Sequence, residues 1–144
     1  MKNSDLLGEG PIIANGLPEI RDVLSRLELL EVARAVEDSW AILSNYMAEN
    51  KVKDLSFECY RSSEVVRDTG RKLGLDCAIV EGWIKVGPDD WLEHRANIFR
   101  LATHIVFADL ASGQFAGRED GFLIVASRSQ GGLTVHLREH YAWH

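Results

Sequence analysis

Between Pro18 and Asn50 the apolar positions Ile20, Leu24, Leu27, Leu30, Ala33, Val36, Trp40, Leu43 and Met47 recur at steps of three and four, the period of one helical face. The spacing predicts one long amphipathic helix or two consecutive ones. Pro18 suits a first helical turn, where its missing N–H breaks no bond, and Asn50 before the polar Lys51-Val52-Lys53-Asp54 suits an end. Trp40 and Tyr46 read as core and rim residues of this stretch. A further helix is expected from about Phe57 to Leu73, with Ser56 as N-cap, Cys59 in the first turn and Gly74 just past the end. One face of it carries Cys59, Ser62, Ser63, Val66, Thr69, Gly70 and Leu73, mostly small or polar. Gly70 inside a helix costs about 1 kcal/mol against alanine, so close packing against a neighbouring backbone or sheet is expected there.

After Gly74 the pattern changes to alternation. Leu75–Val86 sets Cys77 and Ile79 on one side and Ala78 and Val80 on the other, as in a central strand with a buried Cys77. Gly87-Pro88-Asp89-Asp90 reads as a turn, followed by strands at about Leu92–Leu101, Thr103–Leu110 and Phe122–Ala126. Helices first and an antiparallel meander afterwards predict an α+β fold, its N-terminal helices packed on an antiparallel sheet. The first sixteen residues hold three glycines and a proline and read as an irregular arm, which leaves 17–144 as one domain without repeats.

Composition narrows the function classes. A chain of 144 residues, 46% apolar and 26% charged, is one ordinary globular domain. With 16 basic against 22 acidic residues and a net charge of −6, it offers no broad attraction to nucleic acid or to anionic lipid. The start Met1-Lys2-Asn3-Ser4-Asp5 lacks a basic segment leading into an apolar stretch, and no later run approaches the ~20 residues of a membrane span, so a cytoplasmic protein is expected. The cysteines Cys59 and Cys77 are expected to remain unpaired. A helix carrying Cys59 places it roughly 20 Å from the helix end. The chain from Leu73 to Cys77 recovers at most roughly 13 Å of that, whereas bridged Cα atoms lie within about 7 Å.

A cysteine in the first turn of a helix is placed to become a nucleophile, because unpaired N–H groups and the helix dipole favour its thiolate. It needs a base and an acid that orients the base. If the strands 92–101 and 103–110 fold about Leu101-Ala102, paired residue numbers sum to 203 and His94 faces Asp109 across the ladder. Their face also carries Ala96, Ile98, Ile105 and Phe107, suited to a covering helix. The opposite face, with Arg95, Asn97, Phe99, His104, Val106 and Ala108, suits partial exposure. His104 stands an odd number of residues from Asp109, points to the other face, and is ranked as a surface or structural histidine.

From Phe57 to Val125 these residues resemble the papain-like and transglutaminase-like cysteine enzymes. The matching pieces are Cys59-Tyr60, Ser63, the run from Leu73 to Gly82, His94, and Asp109-Leu110-Ala111-Ser112-Gly113-Gln114-Phe115. The resemblance implies Cys59 as nucleophile, His94 as base then acid and Asp109 as orienter, with Tyr60 and Gln114 near the substrate. It implies thiol-dependent hydrolysis or transfer of an amide, in a protein, a peptide or a small molecule, without a cofactor or a metal. The chain departs from the pattern at Ala96, where a tryptophan is common, at Ala111, where a threonine is common, and at Lys53, where papain-type members carry glutamine. Those departures support a second expectation, a catalytically silent transglutaminase-like module that binds a protein partner. His136-Leu137-Arg138-Glu139-His140 matches a zinc motif, but only four residues follow it for a further ligand, and Thr134-Val135 after two glycines reads extended. The segment is expected to be a solvated tail.

Overall fold

The computed structural model describes residues 12–14, 17–52, 58–111, 123–138 and 141–143. Its long N-terminal periodic stretch is two helices, α1 (Leu17–Arg26) and α2 (Leu30–Asn50). They part at Glu28, which takes the left-handed conformation with φ 61°, while the Leu29 N–H turns back to the Leu24 carbonyl at 2.7 Å. The break lets both apolar stripes face one core, since Ile20, Leu24, Val32, Val36 and Leu43 are all fully buried.

Helix α3 (Cys59–Lys72) begins at Glu58, which makes no side-chain cap bond; the expected cap Ser56 lies outside the described residues. Its end follows the glycine rule. Gly74 has φ 80°, its N–H reaches Arg71 O at 3.0 Å, and the Leu75 N–H reaches Gly70 O at 3.0 Å, a Schellman closure. The buried face is the small-residue stripe, Cys59, Ser62, Ser63, Val66, Thr69 and Gly70. A Cβ on Gly70 would stand 3.0 Å from both the Cys77 Cβ and the Phe99 ring, so this glycine lets the helix settle onto the sheet.

The sheet has six described strands in the order β1-β5-β4-β3-β2-β6, every neighbouring pair antiparallel. The meander is β2 (Asp76–Lys85), β3 (Trp91–Arg100), β4 (Ile105–Asp109) and β5 (Leu123–Ser127). β1 (Ile12–Ala14) pairs with β5, so part of the expected irregular arm is an edge strand. The β3–β4 connection is Leu101–His104, closed by the Leu101 N–H on the His104 carbonyl at 2.9 Å. Paired numbers there sum to 205, as in Asn97 with Ala108 and Arg100 with Ile105, not to 203. The slip is two residues, so every side chain keeps its expected face.

Which face α3 covers is corrected. Helices α1–α3 bury Cys77, Phe99, Val106, Ala108, Ile124 and Ala126, the face expected to be partly exposed. Its polar members find partners within it, as when the Asn97 amide donates to Ser63 O at 2.9 Å. The face of Ala96, Ile98 and Phe107 is closed instead by the C-terminal segment, where Leu133, Leu137 and Tyr141 complete a second cluster.

That segment is neither extended at Thr134-Val135 nor a solvated tail. Helix α4 (Gln130–Leu137) starts at Ser129, whose hydroxyl accepts the Gly132 N–H at 3.0 Å, and β6 (Tyr141–Trp143) pairs with β2. Gly82 makes the pairing possible, because a Cβ there would overlap the Ala142 carbonyl oxygen and lie 2.8 Å from the Trp143 Cα. No helix among the described residues is long and apolar enough to cross a membrane.

Candidate active site

Cys59 is the first residue of α3, His94 lies in β3 and Asp109 is the last residue of β4; they are 8%, 3% and 1% exposed. Continuing the β3–β4 register sets Asp109 beside Ala96, so His94 and Asp109 are diagonal neighbours on one face and not the directly opposed pair expected. A diagonal pair is within reach of an imidazole. His94 Nε2 donates to Asp109 Oδ2 at 2.8 Å.

The ring's second partner is Cys59, whose interaction with it raises the His94 pKa. α3 lies on the opposite face of the sheet from the His94 side chain. The β3–β4 ladder ends at Asn97 and Ala108, short of His94, and Cys59 is the first residue of its helix. Burial lowers the His94 pKa, but the Asp109 charge and hydrogen bond, with the Cys59 contact, outweigh it and hold the imidazole up at about 9. At neutral pH the ring is an imidazolium between the Asp109 carboxylate and the Cys59 sulfur.

Asp109 accepts two further hydrogen bonds. The Ala111 N–H donates to Oδ1 at 3.0 Å, and the Tyr141 hydroxyl donates to Oδ2 at 2.8 Å. Ala111, which stands where a threonine was expected, therefore acts through its backbone. Tyr141 is 2% exposed, stacked on Trp143 with centroids 5.2 Å apart and edge-on to Phe107 at 5.1 Å. Sequence reasoning missed it. The available signal was the aromatic–small–aromatic alternation of Tyr141-Ala142-Trp143, the period of a strand in only three residues.

Tyr60 follows Cys59, is half exposed, and lies under the Arg95 guanidinium, 3.7 Å from its centroid; Arg95 also donates to Glu81 at 3.1 Å. Gln114, the other expected substrate-side residue, lies outside the described residues. His104 is a structural histidine, buried, bonded through Nδ1 to the Thr103 hydroxyl at 2.8 Å, with its pKa lowered by burial and by Arg128. Of the zinc motif, the His136 side chain, Glu139 and His140 lie outside the described residues. Among the described residues no three His, Cys, Asp or Glu side chains are gathered as metal ligands.

Both cysteines are free thiols, as the helix geometry requires. Comparison of the chain with family models, curated proteins and solved structures finds no match.

Proposed function

We propose that this chain is a cysteine-dependent acyl-transfer enzyme of the papain-like or transglutaminase-like kind. What carries the reading is the His94 ring, held through Nε2 by Asp109 at 2.8 Å and engaged on its other side by a thiol at a helix start. In the proposed reaction the Cys59 thiolate forms a bond to an amide carbonyl carbon, and the oxyanion is met by N–H groups of the first turn of α3. The His94 imidazolium then gives its proton to the leaving nitrogen as the C–N bond breaks, which leaves a thioester. Water or an amine attacks the thioester, His94 takes its proton, and the acyl product leaves as the C–S bond breaks and the thiolate–imidazolium pair is restored. Asp109 keeps the ring oriented. The substrate is a peptide bond, a glutamine side chain or a small amide, and Tyr60 borders it.

A second reading, the silent module that binds a protein partner, is favoured by the burial of Cys59, only 8% exposed. The alkylation rate of Cys59 against pH separates the two. Under the enzyme reading His94→Ala moves the profile to higher pH, Asp109→Ala moves it the same way but less, and His104→Ala leaves it in place, with circular dichroism confirming each fold. A Cys59 as sluggish as Cys77 in the parent protein supports the silent module.

A further inference from the structure

Beside Tyr141, the α4–β6 layer leaves a cavity of about 880 Å³ against the sheet. That volume is in the range of sites for small organic ligands, roughly 300–1,000 Å³. Its apolar surface comes from Ile98, Phe107, Leu133 and Leu137, and the stacked rings of Tyr141 and Trp143 form one wall. Two guanidinium-bearing residues, Arg100 at the end of β3 and Arg138 after α4, also line it.

The charge is what selects the occupant. In a chain of net charge −6, neither Arg100 nor Arg138 belongs to any ion pair among the described residues. The acidic residue that borders the cavity, Glu81, turns its carboxylate to Arg95 at 3.1 Å, on the other face of the sheet by strand alternation. The cavity therefore pairs an apolar floor with two guanidinium groups that enter no ion pair among the described residues. Guanidinium groups recognise carboxylates through paired charge-assisted hydrogen bonds, and aliphatic side chains take up an apolar tail.

We propose that this cavity binds a small anionic amphipath, a single acidic headgroup on a medium-length apolar tail, with the headgroup at Arg100 and Arg138. The site contains none of Cys59, His94 and Asp109 and meets them only through Tyr141, so its test does not depend on the acyl-transfer reading. Calorimetric titration of the full chain with decanoate, below its micellar concentration, tests it. Saturable one-to-one binding is expected. Arg100→Gln with Arg138→Gln, both at exposed positions, should weaken it by at least about tenfold, the effect of losing one charge-assisted hydrogen bond. Thr134→Trp, from an exposed position of α4 that lines the cavity, should narrow the space and weaken binding. Circular dichroism checks that the variants fold. Absence of saturable binding, decanol bound as tightly as decanoate, or affinity unchanged in the double arginine variant or in Thr134→Trp would each overturn the proposal.

Discussion

Cys59, at the start of α3, and Cys77, in β2 beneath that helix, are both buried, 8% and 1% exposed, yet their surroundings are opposite in kind. Around Cys77 burial dominates: Sγ reaches Val66 O at 3.8 Å, and loss of solvent pushes the thiol up to about 12 despite Arg71 and Asn97. Around Cys59 the same degree of enclosure comes with a cationic ring, itself held by Asp109, and with the start of a helix. Burial alone silences a thiol, and a fixed positive partner is what makes a buried one usable. The two cysteines are each other's internal control.

The largest expected effect is on labelling. At neutral pH iodoacetamide should modify Cys59 and leave Cys77 untouched, so Cys59→Ser abolishes labelling and Cys77→Ser leaves it intact, read by mass spectrometry of the native protein. Equal labelling of both thiols breaks the comparison at once.

Next comes the pH dependence of stability between pH 6.5 and about 9, the window of His94; the Cys77 shift, from 9.0 to about 12, acts above it. His94 rises from 6.5 to about 9 on folding, so the folded chain holds this proton more tightly. Its contribution, on the order of 3 kcal/mol, is complete below pH 6.5 and lost as pH rises through about 9. Urea unfolding at steps across that window should show the loss in the parent and in Cys77→Ser, and His94→Gln should flatten it.

Gly82→Ala is expected to cost roughly 1–3 kcal/mol, because a Cβ cannot share space with the β6 backbone. Undocking β6 removes Tyr141 from Asp109, so Cys59 should label more slowly while Cys77 remains silent. A variant with unchanged stability and labelling argues that β6 does not support the site.

The smallest effect sharpens the comparison most finely. Tyr141→Phe keeps the ring stack and deletes one hydrogen bond to Asp109, a loss of about 1 kcal/mol, so the Cys59 alkylation rate should fall by a few-fold. An unaltered rate means that His94 and the Ala111 N–H are enough to hold the carboxylate.

Local period alone settled that the N-terminal half is helical, that a small-residue stripe led by Cys59 faces inward on α3, and that a meander follows. It also put His94 and Asp109 on one face, and this survived a register two residues off because facing depends only on whether a separation is odd or even. Other features were out of its reach. Alternation tells which residues share a face but not which face a helix will take, so Asn97 and Phe99 looked exposed until α3 covered them. Tyr141 sits in a three-residue strand, too short for a local signal, and its place is set by β2, by the gap at Gly82 and by a carboxylate 32 residues away. The Cys59–His94 contact likewise joins the start of α3 to β3, an outcome of long-range packing. Side-chain period is a property of a single strand or helix and can be read along the chain. The covering of a face, the docking of an edge and the meeting of three elements at one ring are decided by contacts between distant segments, and only the tertiary structure holds those.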